Sequence, residues 1–419
     1  MKIHLITIGD EILIGQTLNT NAAFIGEKLT DIQAKVISTT VVGDSREAII
    51  NAVDNAFNSE AEMILLTGGL GPTHDDITKK CLVEYFETTY VKDEETLQNI
   101  KAIFARRGRE VTQANQDQAL VPECATILKN SEGTAPGLWF EKNNKILVSM
   151  PGVPFEMKSI LTNEVIPRII EIRPPKNECI KIKNILTTGI PESTLFERIG
   201  DIEEFSGHTK MAFLPNQYGV KLRLTTKGKD ESEALNNQTE VEQRIRALAG
   251  RYIFGTNDEN IEDVVGRLLI DRDLTISVAE SCTGGLISAR LTDVSGSSSY
   301  FERAMVTYSN GAKVEHLQVD EDFIHQYGAV SLEVARQMAE GVRAISGTDI
   351  GIAASGIMGP TGDTPGKPVG LVYIGLCDEK ICTAKEFRFN GTRKRNKERT
   401  SQAALEMLRR HLLGIPYDE

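Results

Sequence analysis

Apolar positions along the chain follow two periods in turn, and the alternation predicts strands followed by helices. A short apolar run at 3–8 ends in Gly9-Asp10, and residues 21–29 then carry apolar side chains at helical spacing. The unit repeats. Residues 36–42 read as a strand, 46–57 as a helix with Ala48, Ile49, Ala52, Val53, Ala56 and Phe57 on one face, and 63–67 as another strand. Strands alternating with helices predict a doubly wound α/β domain, a parallel sheet covered on both faces. A strand at 146–150 and a helix at 154–170 close this first domain, placed at 1–172.

The pattern stops at Arg173-Pro174-Pro175-Lys176, because two prolines cannot continue a helix, and a linker is expected there. Residues 177–256 predict a small α+β module with strands at 180–186 and 220–225 and a helix at 231–248. It carries no chemical constellation, so a spacer or dimerisation role is expected. From 258 to 419 the α/β pattern returns: a helix at 261–271, a strand at 274–279, a Ser-rich turn at 295–299, a helix at 332–345, strands at 350–354, 369–376 and 381–389, and a final helix at 394–413.

Charge and composition narrow the function classes. A formal charge of −12, from 59 acidic against 47 basic residues, removes the global attraction that non-specific nucleic-acid binding needs. No nucleic-acid partner is expected. No apolar run approaches the ~18 residues of a membrane span, and the first residues break early into Asp10 and Glu11. No membrane association and a cytoplasmic location are therefore expected. The six cysteines, Cys81, Cys124, Cys179, Cys282, Cys377 and Cys382, form no C-x-x-C pair, and buried or idle thiols are expected.

In the last third, Ala279-Glu280-Ser281-Cys282-Thr283-Gly284-Gly285 joins a strand to a helical pattern. A serine at such a turn is exposed to a ligand, glycines let the ligand approach the main chain, and a helix N-terminus favours a phosphate or a developing oxyanion. A serine hydroxyl needs a base to become nucleophilic. No G-x-S-x-G elbow and no histidine triad motif is present, which leaves a lysine as the candidate base. Val306-Thr307-Tyr308-Ser309-Asn310-Gly311-Ala312-Lys313 follows another strand candidate. A glycine-rich loop from Ser355 to Gly370 follows the strand ending at Ala354. Taken singly, Ser281 reads as a helix N-cap and Lys313 as a surface lysine; together these segments meet at the carboxyl ends of the strands, where α/β sheets bind ligands.

The segments AESCTGG, YSNGAK, GAVS, SGIMGPTG with KPVG, and the basic stretch after Phe389-Asn390-Gly391 stand in the order of the CinA C-terminal domain, also called PncC, which this region resembles. The resemblance implies hydrolysis of nicotinamide mononucleotide to nicotinate mononucleotide and ammonia, with no cofactor at this site. It implies Ser281 as nucleophile, with Tyr308 and Lys313 as activating and proton-relay groups. Thr283, Gly284, Asn310, Gly356, Gly359 and Gly362 would line the nucleotide site, and Arg393 and Arg399 would hold the phosphate. Met358 and Asp363 stand where small residues are expected, a change that narrows the pocket or is neutral.

In the first domain, Gly68-Gly69-Leu70-Gly71-Pro72-Thr73-His74-Asp75-Asp76-Ile77-Thr78 forms a strand-to-helix turn suited to a phosphate cradle, although it is neither a Walker A loop nor G-x-G-x-x-G. Its aspartates are hard oxygen ligands or, read structurally, helix caps. With Gly9-Asp10-Glu11, Asn21, the 133–137 segment and Met150-Pro151-Gly152-Val153-Pro154, this region resembles the molybdopterin-binding-like domain of CinA. That resemblance implies metal-dependent cleavage of ADP-ribose or a related pyrophosphate. A divalent ion would sit at Asp10, Asp75 and Asp76, and Gly69, Gly71 and Thr73 would hold substrate; His74 reads as a bystander. The alternative is a protein that binds or senses a nucleotide or pterin without N-terminal catalysis. A homodimer is expected from the same resemblance.

Overall fold

The computed structural model describes residues 1–73, 75–106, 108–174, 179–201 and 206–417. They form two compact units, Met1–Ile180 and Lys181–Glu419. His74 and Pro175 to Glu178, and with them half of the expected linker, lie outside the described residues.

The first unit is built on strands β1 (Lys2–Ile8), β2 (Lys35–Val42), β3 (Met63–Thr67), β4 (Tyr90–Lys92), β5 (Leu120–Pro122), β6 (Thr126–Leu128), β7 (Gly137–Lys142) and β8 (Lys145–Met150). Its main sheet has the order β2-β1-β3-β8-β7-β6. The first four run parallel, and β7 and β6 add on antiparallel. The parallel half follows from the two buried faces of β1 and β3, which are nearly continuous apolar runs, as central strands require. The antiparallel half departs from the expected all-parallel sheet. Its cause is the tight Asn143-Asn144 turn, both residues at positive φ, which lets β7 and β8 pair as a hairpin. Two apolar clusters, one on each face, hold helices Arg46–Asn58 and Thr20–Asp31 against the sheet.

The single helix expected at 154–170 is interrupted by a π-helical turn at Leu161–Val165 between helices Pro154–Ile160 and Ile166–Ile172. Pro167 has no N–H to donate one turn back, and a widened turn just upstream accommodates that loss.

The second unit holds two sheets. Strands β9 (Cys179–Thr187), β10 (Thr209–Pro215), β11 (Val220–Gly228) and β12 (Ile253–Thr256) pair in the order β10-β11-β9-β12 and are backed by helix Glu231–Ala249. Strands β13 (Ile276–Glu280), β14 (Phe301–Val306), β15 (Ile350–Gly356), β16 (Leu371–Cys377) and β17 (Cys382–Arg388) pair in the order β14-β13-β15-β16-β17. β14, β13 and β15 are parallel, and β16 and β17 antiparallel. Helices Ile261–Asp271 and Arg393–Leu413 cover one face, and Leu332–Ser346 the other. Cys377 and Cys382 stand opposite each other in the β16–β17 hairpin and form a disulfide, which corrects the expectation that all six cysteines are unpaired thiols. Cross-strand register puts the two Cα atoms 4.0 Å apart, a proximity that their spacing in the sequence does not reveal.

Candidate active site

Register brings the C-terminal motifs together. Glu280 at the end of β13 stands opposite Val306 of β14 and Ala354 of β15, so the three chains leave the sheet side by side. Two backbone bonds fix the exits: Ser281 N–H donates to Ala354 O at 3.0 Å, and Thr307 N–H to Glu280 O at 2.8 Å. Beyond Thr307 the chain turns into helix Asn310–Leu317, capped by the Ser309 hydroxyl, which accepts from Ala312 N–H at 3.1 Å. Lys313 lies one turn in and points back toward the sheet.

Its ammonium nitrogen is 3.1 Å from Ser281 Oγ. Its other partners are backbone carbonyls, Thr307 O at 2.9 Å and Tyr308 O at 3.3 Å. The side chain is 1% exposed, and burial pushes its pKa below the ordinary lysine value of 10.5. A desolvated amine facing a hydroxyl is poised to accept its proton. Cys282 is buried beside Ser281, and burial pushes its thiol up to about 12, which leaves it protonated and a poor rival nucleophile.

Glu280 takes the place that the sequence reading assigned to a phosphate or oxyanion at the helix N-terminus. Its buried carboxylate accepts from Gly285 N–H at 2.9 Å, Ile287 N–H at 3.1 Å, Ser288 N–H at 2.9 Å and the Ser288 hydroxyl at 2.5 Å. The helix itself begins at Leu286, five residues past Ser281. Its first amides are therefore occupied by an internal anion, a correction to their expected role with a phosphate or oxyanion. Glu280 was missed as a site residue. The available signal was a carboxylate ending an otherwise buried strand directly before a Gly-Gly turn.

The expected ligand-lining residues fall into distinct groups. Thr283 is fully buried with a hydroxyl that meets no partner among the described residues. Gly284 has φ +60°, and a Cβ there would lie 3.4 Å from Lys397 Nζ. Lys397 thus stands over the Ser281 turn, and it too was missed, inside the basic run 393–397. Arg393 donates to Gly359 O at 3.0 Å and to the Tyr308 hydroxyl at 2.9 Å. Tyr308 is 61% exposed with its phenol on Arg393, and the contact with Ser281 is made by Lys313. Asn310 is exposed at the helix start. Gly356 is the last residue of β15, and Gly359 and Gly362 lie on the loop after it, at φ +81° and +100°. Met358 is buried in the core and Asp363 is exposed.

Arg399 stands apart from these. Its guanidinium donates to Asn390 O and lines a cavity that includes none of Ser281, Tyr308 and Lys313. Six positions after Arg393 on one helix, it lies about 120° around the axis, so the two arginines do not share a face.

In the first unit, Asn21 joins two of the expected segments: its amide donates to Gly152 O at 2.7 Å and to Thr67 Oγ1 at 3.3 Å, and its oxygen is buried without a partner among the described residues. The three aspartates do not form the expected metal set. Among the described residues no three His, Cys, Asp or Glu side chains gather as metal ligands. Asp76 accepts from Thr73 N–H at 2.9 Å and from the Thr73 hydroxyl, so it closes its own loop. Asp10 faces Asp44, each accepting a backbone N–H across the pair, at 2.9 Å from Asp10 and 3.3 Å from Asp44. Asp75 is exposed. Burial, with Asp10, Glu11 and Asp76 nearby, raises the Asp44 pKa. Gly69 and Gly71 face Thr78 and the Asp76 carboxylate, where a Cβ would collide, so packing within the fold already accounts for both glycines.

Comparison with known proteins supplies a family. Residues 258–412 match the CinA C-terminal domain, 4–171 a domain described as a probable molybdopterin binding domain, and 182–255 the damage-inducible protein CinA KH domain. The KH match falls on the middle module, for which the sequence offered only a spacer or dimerisation role. A CinA-like protein of Salinibacter ruber is 44% identical over 98% of this chain and 100% of its own length, and one of Chloroherpeton thalassium 42% identical over 98% and 99%. Among solved structures, a CinA superfamily protein of Klebsiella pneumoniae is 30% identical over 37% of this chain and 99% of its own, with a TM-score of 0.36. The protein CinA of Thermoplasma acidophilum is 35% identical over 40% and 96%, with a TM-score of 0.37. No helix among the described residues is long and apolar enough to cross a membrane. With relatives matched along their whole length, the chain belongs to the CinA family.

Proposed function

We propose that the chain hydrolyses the carboxamide of nicotinamide mononucleotide at Ser281, releasing nicotinate mononucleotide and ammonia. The observation that carries this reading is the 3.1 Å approach of a buried lysine amine, its pKa lowered, to a serine hydroxyl. In its neutral form Lys313 takes the Ser281 proton as Oγ bonds to the carboxamide carbon. The resulting ammonium returns that proton to the nitrogen as the C–N bond breaks, and ammonia leaves. Water then attacks the acyl ester with Lys313 again as base, and Ser281 is regenerated. Thr283 offers its unpartnered hydroxyl to the bound substrate, and Arg393 and Lys397 are the cations assigned to its phosphate. Tyr308 acts through Arg393 in this scheme. Ammonia release from nicotinamide mononucleotide by the purified chain tests it, with Ser281→Ala as the control; full turnover by that variant overturns the nucleophile.

For the first unit we propose binding of a nucleotide of the ADP-ribose type. This is favoured over metal-dependent cleavage there because Asp76 is engaged by Thr73 and Asp75 does not join Asp10. The unpartnered Asn21 oxygen, beside the Gly152 turn, is a ready acceptor for a ligand donor. Isothermal titration with ADP-ribose, with and without a divalent ion, distinguishes the two readings; cleavage that EDTA abolishes restores the metal. Pairing into a homodimer belongs to the same reading and is checked by light scattering.

A further inference from the structure

We propose that the second unit holds a binding site for a planar aromatic anion of mononucleotide size, in a cavity distinct from the Ser281 turn. The cavity encloses about 480 Å³, within the range of small-ligand sites. Three walls of different origin make it. The first is the edge strand β17 and its extension, where alternate residues Lys385, Phe387 and Phe389 face one way by the two-residue period of a strand. The second is the C-terminal helix, where Arg399, Ala403 and Met407 recur every four residues on one stripe. The third is the β10–β11 turn of the KH-like sheet, which contributes Tyr218. The small Ala403 at the centre of the helix stripe leaves the space open.

The walls are held in place independently of any ligand. Gln402 donates to Thr188 Oγ1 at 3.3 Å, and Arg409 to Arg251 O at 2.7 Å, so the C-terminal helix is bonded to the module that carries Tyr218. The Phe387 and Phe389 rings are 6.0 Å apart and nearly parallel at 12°; both pack against the core on one side and line the cavity with the rest of their surface.

Charge selects the ligand. Arg409 and Arg410 on the same helix both bond to Glu406, the interior carboxylate of this wall, which is thereby neutralised. Arg399 and Lys385 differ: among the described residues they meet backbone carbonyls, Asn390 O at 3.1 Å and Tyr417 O at 2.8 Å, and no carboxylate. Glu192 is exposed at the rim. Two cations without acidic partners beside flat aromatic faces suit a ring that stacks and an attached anion that pairs with a guanidinium. A nucleoside monophosphate has both parts. The inference rests on this geometry alone and stands or falls separately from the amidase reading.

Photolabelling of the full chain with 8-azido-AMP, read by peptide mass spectrometry, tests it. The expected result is label on the peptides bearing Tyr218, Phe387 to Phe389 or Arg399 to Arg410, retained in Ser281→Ala. Both Arg399→Ala, a partly exposed position that should not disturb folding, and the cavity-filling Ala403→Trp should lower that label by about tenfold or more, the loss of one charge-assisted contact or of the space itself. Excess AMP should compete, and adenosine or inorganic phosphate alone should compete weakly. Label confined to the first unit or to the Ser281 turn, or cavity label that Arg399→Ala leaves unchanged, overturns the proposal. Competition by adenosine equal to that by AMP overturns the anionic part.

Discussion

The turn after β3 in the first unit and the turn after β13 in the second share their local ingredients: a buried strand, glycines at positive φ, and a helix beyond. Their interiors differ. After β3, Cβ atoms on Gly68, Gly69 and Gly71 would strike Ile8 O, Thr78 Oγ1 and the Asp76 carboxylate, so these glycines let the loop pack against its own fold. After β13, the nearest atoms to Cβ atoms on Gly284 and Gly285 are 3.4 and 4.0 Å away, and a buried carboxylate, Glu280, holds the turn from beneath. The acid of the first turn, Asp76, is half-buried and closes the loop it belongs to. The acid of the second satisfies the helix amides and leaves Ser281 free to meet Lys313. Glycines at a strand-to-helix turn thus permit a site, and the placement of the acid and of a buried base decides whether chemistry follows.

The largest effect expected breaks that comparison at its reactive end. Ser281→Ala and Lys313→Met should each lower kcat/KM for ammonia release by about 1,000-fold or more, and the double variant should be little worse than either, since a nucleophile and its base act as a unit. Additive losses in steady-state kinetics would show that the two side chains work separately. Next in size is the anchor. Glu280→Ala strands buried amides and removes charge-assisted bonds, an expected loss of about 3 kcal/mol in the second unit. Asp76→Ala in the first unit removes exposed loop bonds and should cost about 1 kcal/mol. Urea unfolding separates them, because the single tryptophan, Trp139, reports the first unit by fluorescence, while near-ultraviolet circular dichroism of tyrosines is weighted to the second, which holds seven of the nine. Equal costs would remove the distinction drawn between the two acids.

The same contrast explains what could be read from the sequence. Helix 46–57 and strands 3–8 and 63–67 were legible because one face, or both, is apolar at the period of the element. The π-helical turn and the antiparallel β7 were not, because each depends on a local event: the missing N–H of Pro167, and a two-residue asparagine turn. At the site, Ser281 and Lys313 were legible as motif residues, and sheet register then placed them within 3.1 Å of each other. That Arg393 and Arg399 border different cavities was not legible, because a basic run along a helix looks uniform in sequence, whereas the helix rotates its members to different faces. Asp44 escaped because a single carboxylate carries no pattern until its donors are known, and Glu280 because its place at the end of a buried strand before Gly-Gly marks a position without naming the amides it holds.

The smallest effect sharpens the comparison through pH. Each unit contains a lysine bonded to carbonyls and desolvated by its surroundings. Lys79 in the first donates to Leu120 O at 2.8 Å and Asp117 O at 3.3 Å, and burial pushes its pKa to about 8, with Asp117 opposing. Lys313 in the second is shifted the same way by burial, but it also meets a hydroxyl. A lysine whose folded pKa lies below its unfolded value of 10.5 binds fewer protons when folded. Its contribution to stability is complete above 10.5 and is lost as pH falls toward 8. Lys79→Met should therefore flatten the rise in stability of the first unit across that window, as read by Trp139 fluorescence in urea, and leave ammonia release and its pH profile unchanged. For Lys313 the same direction of shift governs rate: turnover should climb as the amine loses its proton, beginning below the ordinary lysine range. A rate profile that moved with Lys79→Met would mean that the two buried amines are coupled, and the base of the reaction would have to be sought beyond Lys313.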